Sequence, residues 1–186
     1  MQPISAETVE ETWQRVGVMN PDQAPGLIEE MEREQPIILS YLTAGGEELF
    51  NQAEREMVVY LGVVVWQIMK QGKPAPEKVR FEDIEKAEEN NLKMLEYLGK
   101  STPSGFSQGV ESLVTGYNQP EVLRYIVEAL FSVDEDDQDE TVETSDPEHE
   151  EEKVRDDMRG VIFIVLKTII DCLDQQKVKN GEMGNC

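Results

Sequence analysis

Thirteen consecutive residues, 57–69 (MVVYLGVVVWQIM), carry no charged side chain. A helix on a protein surface shows one apolar stripe, whereas a helix apolar nearly all round has to be enclosed by other elements. The flanks of the run read as helix ends. Asn51 with Glu54 three residues later resembles a capping box, with Asn in place of the usual Ser or Thr. Gly72, Pro74 and Pro76 break the pattern on the other side. A central helix over 51–71, buried within a bundle, is therefore predicted. The apolar run falls short of the roughly 20 residues that a bilayer crossing needs.

Other segments supply the enclosing helices. Ser5 caps a first helix with Val9, Trp13 and Val16 on one face, ended by Asn20-Pro21. A second, over 25–34, buries Leu27, Ile28 and Met31. Pro36 starts a third, carrying Ile37, Ile38, Tyr41 and Leu42, and Gly45-Gly46 stops it. Residues 77–98 read as amphipathic through Phe81, Ile84, Leu92, Leu95 and Leu98, and a loop follows from Gly99. Phe106, Val110, Leu113, Val114 and Tyr117 give a further helix by spacing.

Pro120 starts the next helix, with Val122, Leu123, Ile126, Val127, Leu130 and Phe131 on its buried side. Asp146-Pro147 forms a cap-plus-N1 pair for a final helix to Lys177. Its stripe is Val154, Met158, Val161, Ile162, Val165, Leu166, Ile169, Ile170 and Leu173. The β-branched run VIFIVL inside it suits a strand in isolation. Helical spacing continues on both sides, and no other segment offers a strand partner, so helix is predicted. The sum is an all-α fold, a single-domain helical bundle of about seven or eight helices over 1–186, with a frayed tail at 179–186.

The net charge is unevenly placed. The 186 residues hold 39 acids against 17 bases, a formal charge of −22. Segment 134–152 (DEDDQDETVETSDPEHEEE) contains 12 of the acids and no Lys or Arg. The rest is left with 27 acids against 17 bases, a balance of −10. A like-charge block with almost no apolar residues cannot offset its ordering entropy, so a disordered acidic loop is predicted there. Asp134, Glu135, Asp136, Asp137, Asp139 and Glu140 are its candidate partner-binding residues, suited to a protein with a basic surface. The acidic balance argues against nucleic acid and anionic membranes, which need clustered Lys and Arg.

The chain contains an internal echo. Gln35-Pro36-x-x-Leu39-x-Tyr41-Leu42 matches Gln119-Pro120-x-x-Leu123-x-Tyr125-Ile126 at an offset of 84. Residues 53–69 align with 154–170 at an offset of 101, setting Met57 on Met158. The offsets differ by 17, close to the length of the acidic segment. A duplicated helical unit, with half-repeats 22–99 and 105–177 and the acidic stretch inserted in the second, accounts for both. Chance likeness between two Pro-started amphipathic helices is the plainer account. In the repeat, Gln35, Tyr41, Gln119 and Tyr125 take equivalent places and are candidate pocket residues, with core packing of the tyrosines as the competing reading.

Known chemistries leave little trace. The one histidine, His149, lies inside the acidic segment, which removes the Glu-x-x-His pairs of di-iron bundles. Read as a calcium loop from Asp134, that segment puts Asp139 where Gly is needed and Ser145 where Glu is needed. Phosphate-cradling glycine motifs are absent. Cys172, between apolar neighbours, reads as a buried inert thiol, and with Cys186 makes neither a disulfide framework nor a metal site. Glu29, Glu30, Glu32 and Glu34 read as a solvated helix face. No catalytic residue, metal ligand or cofactor is assigned.

The expectation is a cytoplasmic, non-enzymatic protein–protein interaction or regulatory module, without a secretory signal and able to form a homodimer through exposed helix faces. The alternative is a Mg²⁺-dependent nucleotide or phosphoester hydrolase using helix carboxylates. A DNA mimic ranks below both, because its acids would have to lie on rigid helices.

Overall fold

The computed structural model describes residues 1–44, 49–99, 114–131 and 153–174. The acidic segment, with Asp134, Glu135, Asp136, Asp137, Asp139 and Glu140, lies outside them, as do Gly45, Gly46, the tail and most of the helix predicted around 106–117. Within the described residues the chain forms seven α-helices and no strand. They are α1 (Ala6–Gly17), α2 (Ala24–Glu34), α3 (Pro36–Ala44), α4 (Gln52–Met69), α5 (Phe81–Gly99), α6 (Pro120–Phe131) and α7 (Asp156–Asp174).

The capping box at α4 is present. Asn51 Oδ1 accepts from Glu54 N at 2.9 Å, and Glu54 Oε2 accepts from Asn51 N at 2.9 Å. From Leu61 to Met69 every residue of α4 is buried, as an all-round apolar helix requires. Its most extensive partner is α7, and α1, α2, α3 and α6 close the remaining sides. α7 is itself buried on most of its circumference, including Phe163, Ile164, Lys167 and Thr168. Gly62 lets α3 approach α4 closely: a Cβ there would sit 2.5 Å from both Leu42 methyls.

Several boundaries and faces differ from expectation. α5 starts at Phe81 rather than at 77, because the backbone of Glu77 and Val79 is bonded to the Gln35 side chain instead of to a helical turn. Its buried face runs through Ile84, Ala87 and Asn91, while Phe81 (60% exposed) and Leu92 (49%) face out. The helix turns that way because polar Asn91 has partners on α7. α7 starts at Asp156, not at Pro147, because Glu54 holds the non-helical Arg155 backbone N–H at 3.0 Å. Phe131, expected in the core, is exposed at the end of α6. In α2 only Met31 is fully buried, and Leu27 and Ile28 are half-buried beside a cavity.

Candidate functional site

The two predicted glutamines each immediately precede a Pro-started helix and make the same kind of clasp. Gln35 Oε1 accepts from Val79 N at 2.9 Å, and its Nε2 donates to Glu77 O at 3.0 Å. Gln119 Oε1 accepts from Ile4 N at 3.0 Å, and its Nε2 donates to Gln2 O at 3.3 Å and Asp174 Oδ1 at 2.7 Å. Each amide thus pairs with two backbone groups of a three-residue segment outside the helices, 77–79 or 2–4. Buried backbone groups outside a helix need such partners.

The tyrosines of the echo part company. Tyr41 donates to Glu88 Oε1 at 2.9 Å, and burial with this bond raises its phenol pKa. Tyr125 stacks with Trp13, ring centroids 6.4 Å apart and planes inclined by 21°. Burial raises its pKa as well, so the phenol stays neutral.

A polar cluster lies between α5 and α7. Lys167, 7% exposed, donates to Asn91 Oδ1 and Asp171 Oδ2, both at 2.8 Å, and sits 4.8 Å from the Tyr117 ring centroid. Asn91 donates to Thr168 Oγ1 at 3.1 Å and Asp171 Oδ2 at 2.8 Å. Tyr117 donates to Asp171 Oδ1, and burial followed by the Asp171 charge raises its pKa. Each charge here is paired and hydrogen-bonded, which is what permits ions in a core. Burial pushes the neighbouring Cys172 thiol up to about 12, with Asp171 and Asp83 adding to it, so the thiol stays protonated. Such a cluster braces α5 against α7.

Open space lies on the opposite flank of α4. A cavity of about 590 Å³ is walled by the end of α1 (Val16, Gly17), by Leu27 and Ile28 of α2, and by Val59, Tyr60 and Val63 of α4. A second, of about 430 Å³, is lined by Glu10 and Trp13 of α1, Met57, Tyr60 and Leu61 of α4, and Tyr125 and Glu128 of α6. Tyr60, 45% exposed, belongs to both, so they form one trough divided by its ring. From Glu10 to Gly17 the trough follows about 10 Å of α1. Both volumes lie in the range of ligand sites, about 300–1,000 Å³. Among the described residues, the exposed carboxylates Glu10, Glu56 and Glu128 border it against one cation, Arg55, which donates to Phe50 O.

No group of three or more His, Cys, Asp or Glu residues that could hold a metal ion occurs among the described residues. Glu30 and Glu34, read from sequence as solvated, instead hold Lys70 Nζ at 2.7 and 2.9 Å, and the Lys70 bond lowers the Glu30 pKa. Comparison with family models, curated proteins and solved structures finds no match for this chain.

Proposed function

We propose that this protein is a non-enzymatic cytoplasmic interaction module that docks an apolar, basic segment of a partner protein in the trough along α1 and α4. The observation that carries the reading is the pair of adjoining cavities that share Tyr60 and are bordered by Glu10, Glu56 and Glu128. An apolar floor supplies affinity, and an acidic rim selects a basic partner. The sequence adds to the selection, since its net charge of −22 steers cationic segments toward the molecule. No helix of the described residues is long and apolar enough to cross a membrane. The hydrolase alternative finds no group of three or more His, Cys, Asp or Glu residues placed to hold a metal ion among the described residues.

An internal duplication belongs to the same proposal. Its support is the matching clasps of Gln35 and Gln119, and the direct contact between Glu54 and Arg155, which the offset of 101 sets on each other.

The test is a synthetic helix-forming peptide with Leu at i, i+4 and i+7 and Lys or Arg elsewhere, followed by fluorescence anisotropy. Saturable binding with a Kd on the order of 10 μM is expected. Val59→Asp should weaken it at least tenfold with the circular dichroism unchanged. A peptide with Glu replacing the basic residues should not bind. Absence of saturation by about 1 mM, which is some −4 kcal/mol of binding, or indifference to Val59→Asp, overturns the reading.

A further inference from the structure

We infer that the smaller cavity of the trough is a cage for an organic cation, namely the guanidinium or ammonium group of an Arg or Lys side chain in the docked segment. The inference rests on the docking reading and specifies what its acidic end recognises. Three aromatic rings line this cavity: Trp13 and Tyr125, stacked at 6.4 Å, and the half-exposed Tyr60. Aromatic faces are electron-rich and attract a cation within about 6 Å of the ring centroid. Two carboxylates border the rings, Glu10 from α1 and Glu128 from α6, and among the described residues no Lys or Arg lines the cavity.

Glu10 is held in position: Trp13 Nε1 donates to its Oε2 at 3.0 Å, and Gln14 Nε2 donates to its Oε1. The carboxylate is thereby fixed beside the indole rather than free to swing away. A pocket of this kind is poorly suited to an anion, which would meet two like charges, and a bare aliphatic group would leave the charge of both carboxylates uncompensated. A flat or rounded cation on an aliphatic stem satisfies rings and carboxylates together. The fold itself uses the same chemistry twice, with Lys70 Nζ 5.1 Å from the Trp66 ring and Lys167 Nζ 4.8 Å from that of Tyr117.

The experiment is an NMR titration of the ¹⁵N-labelled full chain with N-acetyl-L-arginine amide, with N-acetyl-L-citrulline amide as the uncharged isostere. The arginine compound should shift the Trp13 indole N–H resonance saturably and leave that of the buried Trp66 in place. The citrulline compound should give no saturable shift. Glu128→Gln and Tyr60→Ala alter exposed side chains, and each should weaken the response at least fivefold. In the peptide described above, replacing the Arg and Lys residues one at a time by citrulline should identify one position that costs about tenfold. Equal responses to arginine and citrulline, or indifference to both substitutions, overturn the cage. A peptide that binds through Val59 yet tolerates citrulline at every position overturns the cage and leaves the docking reading standing.

Discussion

Arg155 closes on Glu54 where the two central helices begin, with Nε 2.8 Å from Oε1 and Nη2 2.8 Å from Oε2. The carboxylate also accepts from the backbone N–H groups of Asn51 and Arg155, so all of its accepting positions are filled. Glu54 is fully buried, whereas Arg155 is 45% exposed. The Arg155 guanidinium, aided by those backbone bonds and opposed by burial, holds the Glu54 pKa at about 2. A carboxylate with a folded pKa below its unfolded value stabilises the fold above the unfolded value, and that stabilisation disappears as pH falls through the folded one. Denaturant midpoints should therefore fall between about pH 5 and pH 2, by about 3 kcal/mol in all from this group. Glu54→Gln should flatten that limb. Arg155→Met should be more destabilising than the double variant Glu54→Met/Arg155→Met, because it leaves a buried charge alone.

The glutamine clasps make a paired prediction. Gln35→Ala removes the acceptor of the buried Val79 N–H, and Gln119→Ala that of the buried Ile4 N–H. An unsatisfied buried backbone group costs about 1–3 kcal/mol. Each variant should lose that much by urea titration, with Gln119→Ala at least as costly because Asp174 also loses a donor. A loss from one clasp and none from the other would separate their roles.

Gly62 tests the close approach of α3 and α4. Leu42 is 4% exposed, so its methyls have no open space into which to retreat from a new Cβ 2.5 Å away. Gly62→Ala gains helix propensity but overpacks the core, and a net loss of about 1–3 kcal/mol is expected. The variant Gly62→Ala/Leu42→Ala should recover part of that loss, read as a smaller drop in melting temperature than the two single changes combined.

These relationships were unequally readable in the chain. The apolar run at 57–69 announced α4, because an all-round apolar helix has one stable place. The α4 cap was readable for a different reason: Asn51 and Glu54 are three residues apart, and local geometry decides their bond. The Gln-Pro echo was visible, yet its purpose was not, since the groups clasped by Gln119 lie 117 and 115 residues away. Lys167 lies off the apolar stripe of its helix, so the stripe gives no reason to place it inside. The available signal is its spacing of four from Asp171 on a helix buried on most of its circumference, which suits a paired internal charge. Asn91, which rotates α5 away from its apparent stripe, depends on partners 76 and 77 residues away. The trough is hidden for the same reason: its walls come from four helices, and of the four candidate pocket residues Tyr125 alone is among its lining residues.

Cys172 should be inert in the native state. Its thiol is 5% exposed, donates to Asp83 O at 3.4 Å, and is pushed up to about 12 by burial first and the nearby acids second. The thiolate is the form that attacks a disulfide reagent, so reaction at pH 8 requires opening of the core. In a Cys186→Ser variant, where Cys172 is the remaining cysteine, a disulfide reagent should give no colour with native protein and one equivalent in concentrated urea. Rapid native labelling would show that α7 opens locally at its end.

Removing 134–152 tests what the acidic segment contributes to the proposed docking. The deletion takes away 12 of the 39 acids and leaves a charge of −10, while Glu10, Glu56 and Glu128 at the trough remain. Long-range charge acts chiefly on the rate of encounter, and contacts within the site chiefly on the rate of escape. The deleted protein should keep its helicity and thermal midpoint, and its association rate for the basic peptide should fall about tenfold at low salt. Its dissociation rate should stay within about a factor of two. Near 0.5 M salt the two proteins should associate alike, because the screening length shrinks to roughly 4 Å. A large change in dissociation rate would instead mean that the acidic segment itself touches the bound partner, and Asp134, Glu135, Asp136, Asp137, Asp139 and Glu140 would then be the residues to replace individually.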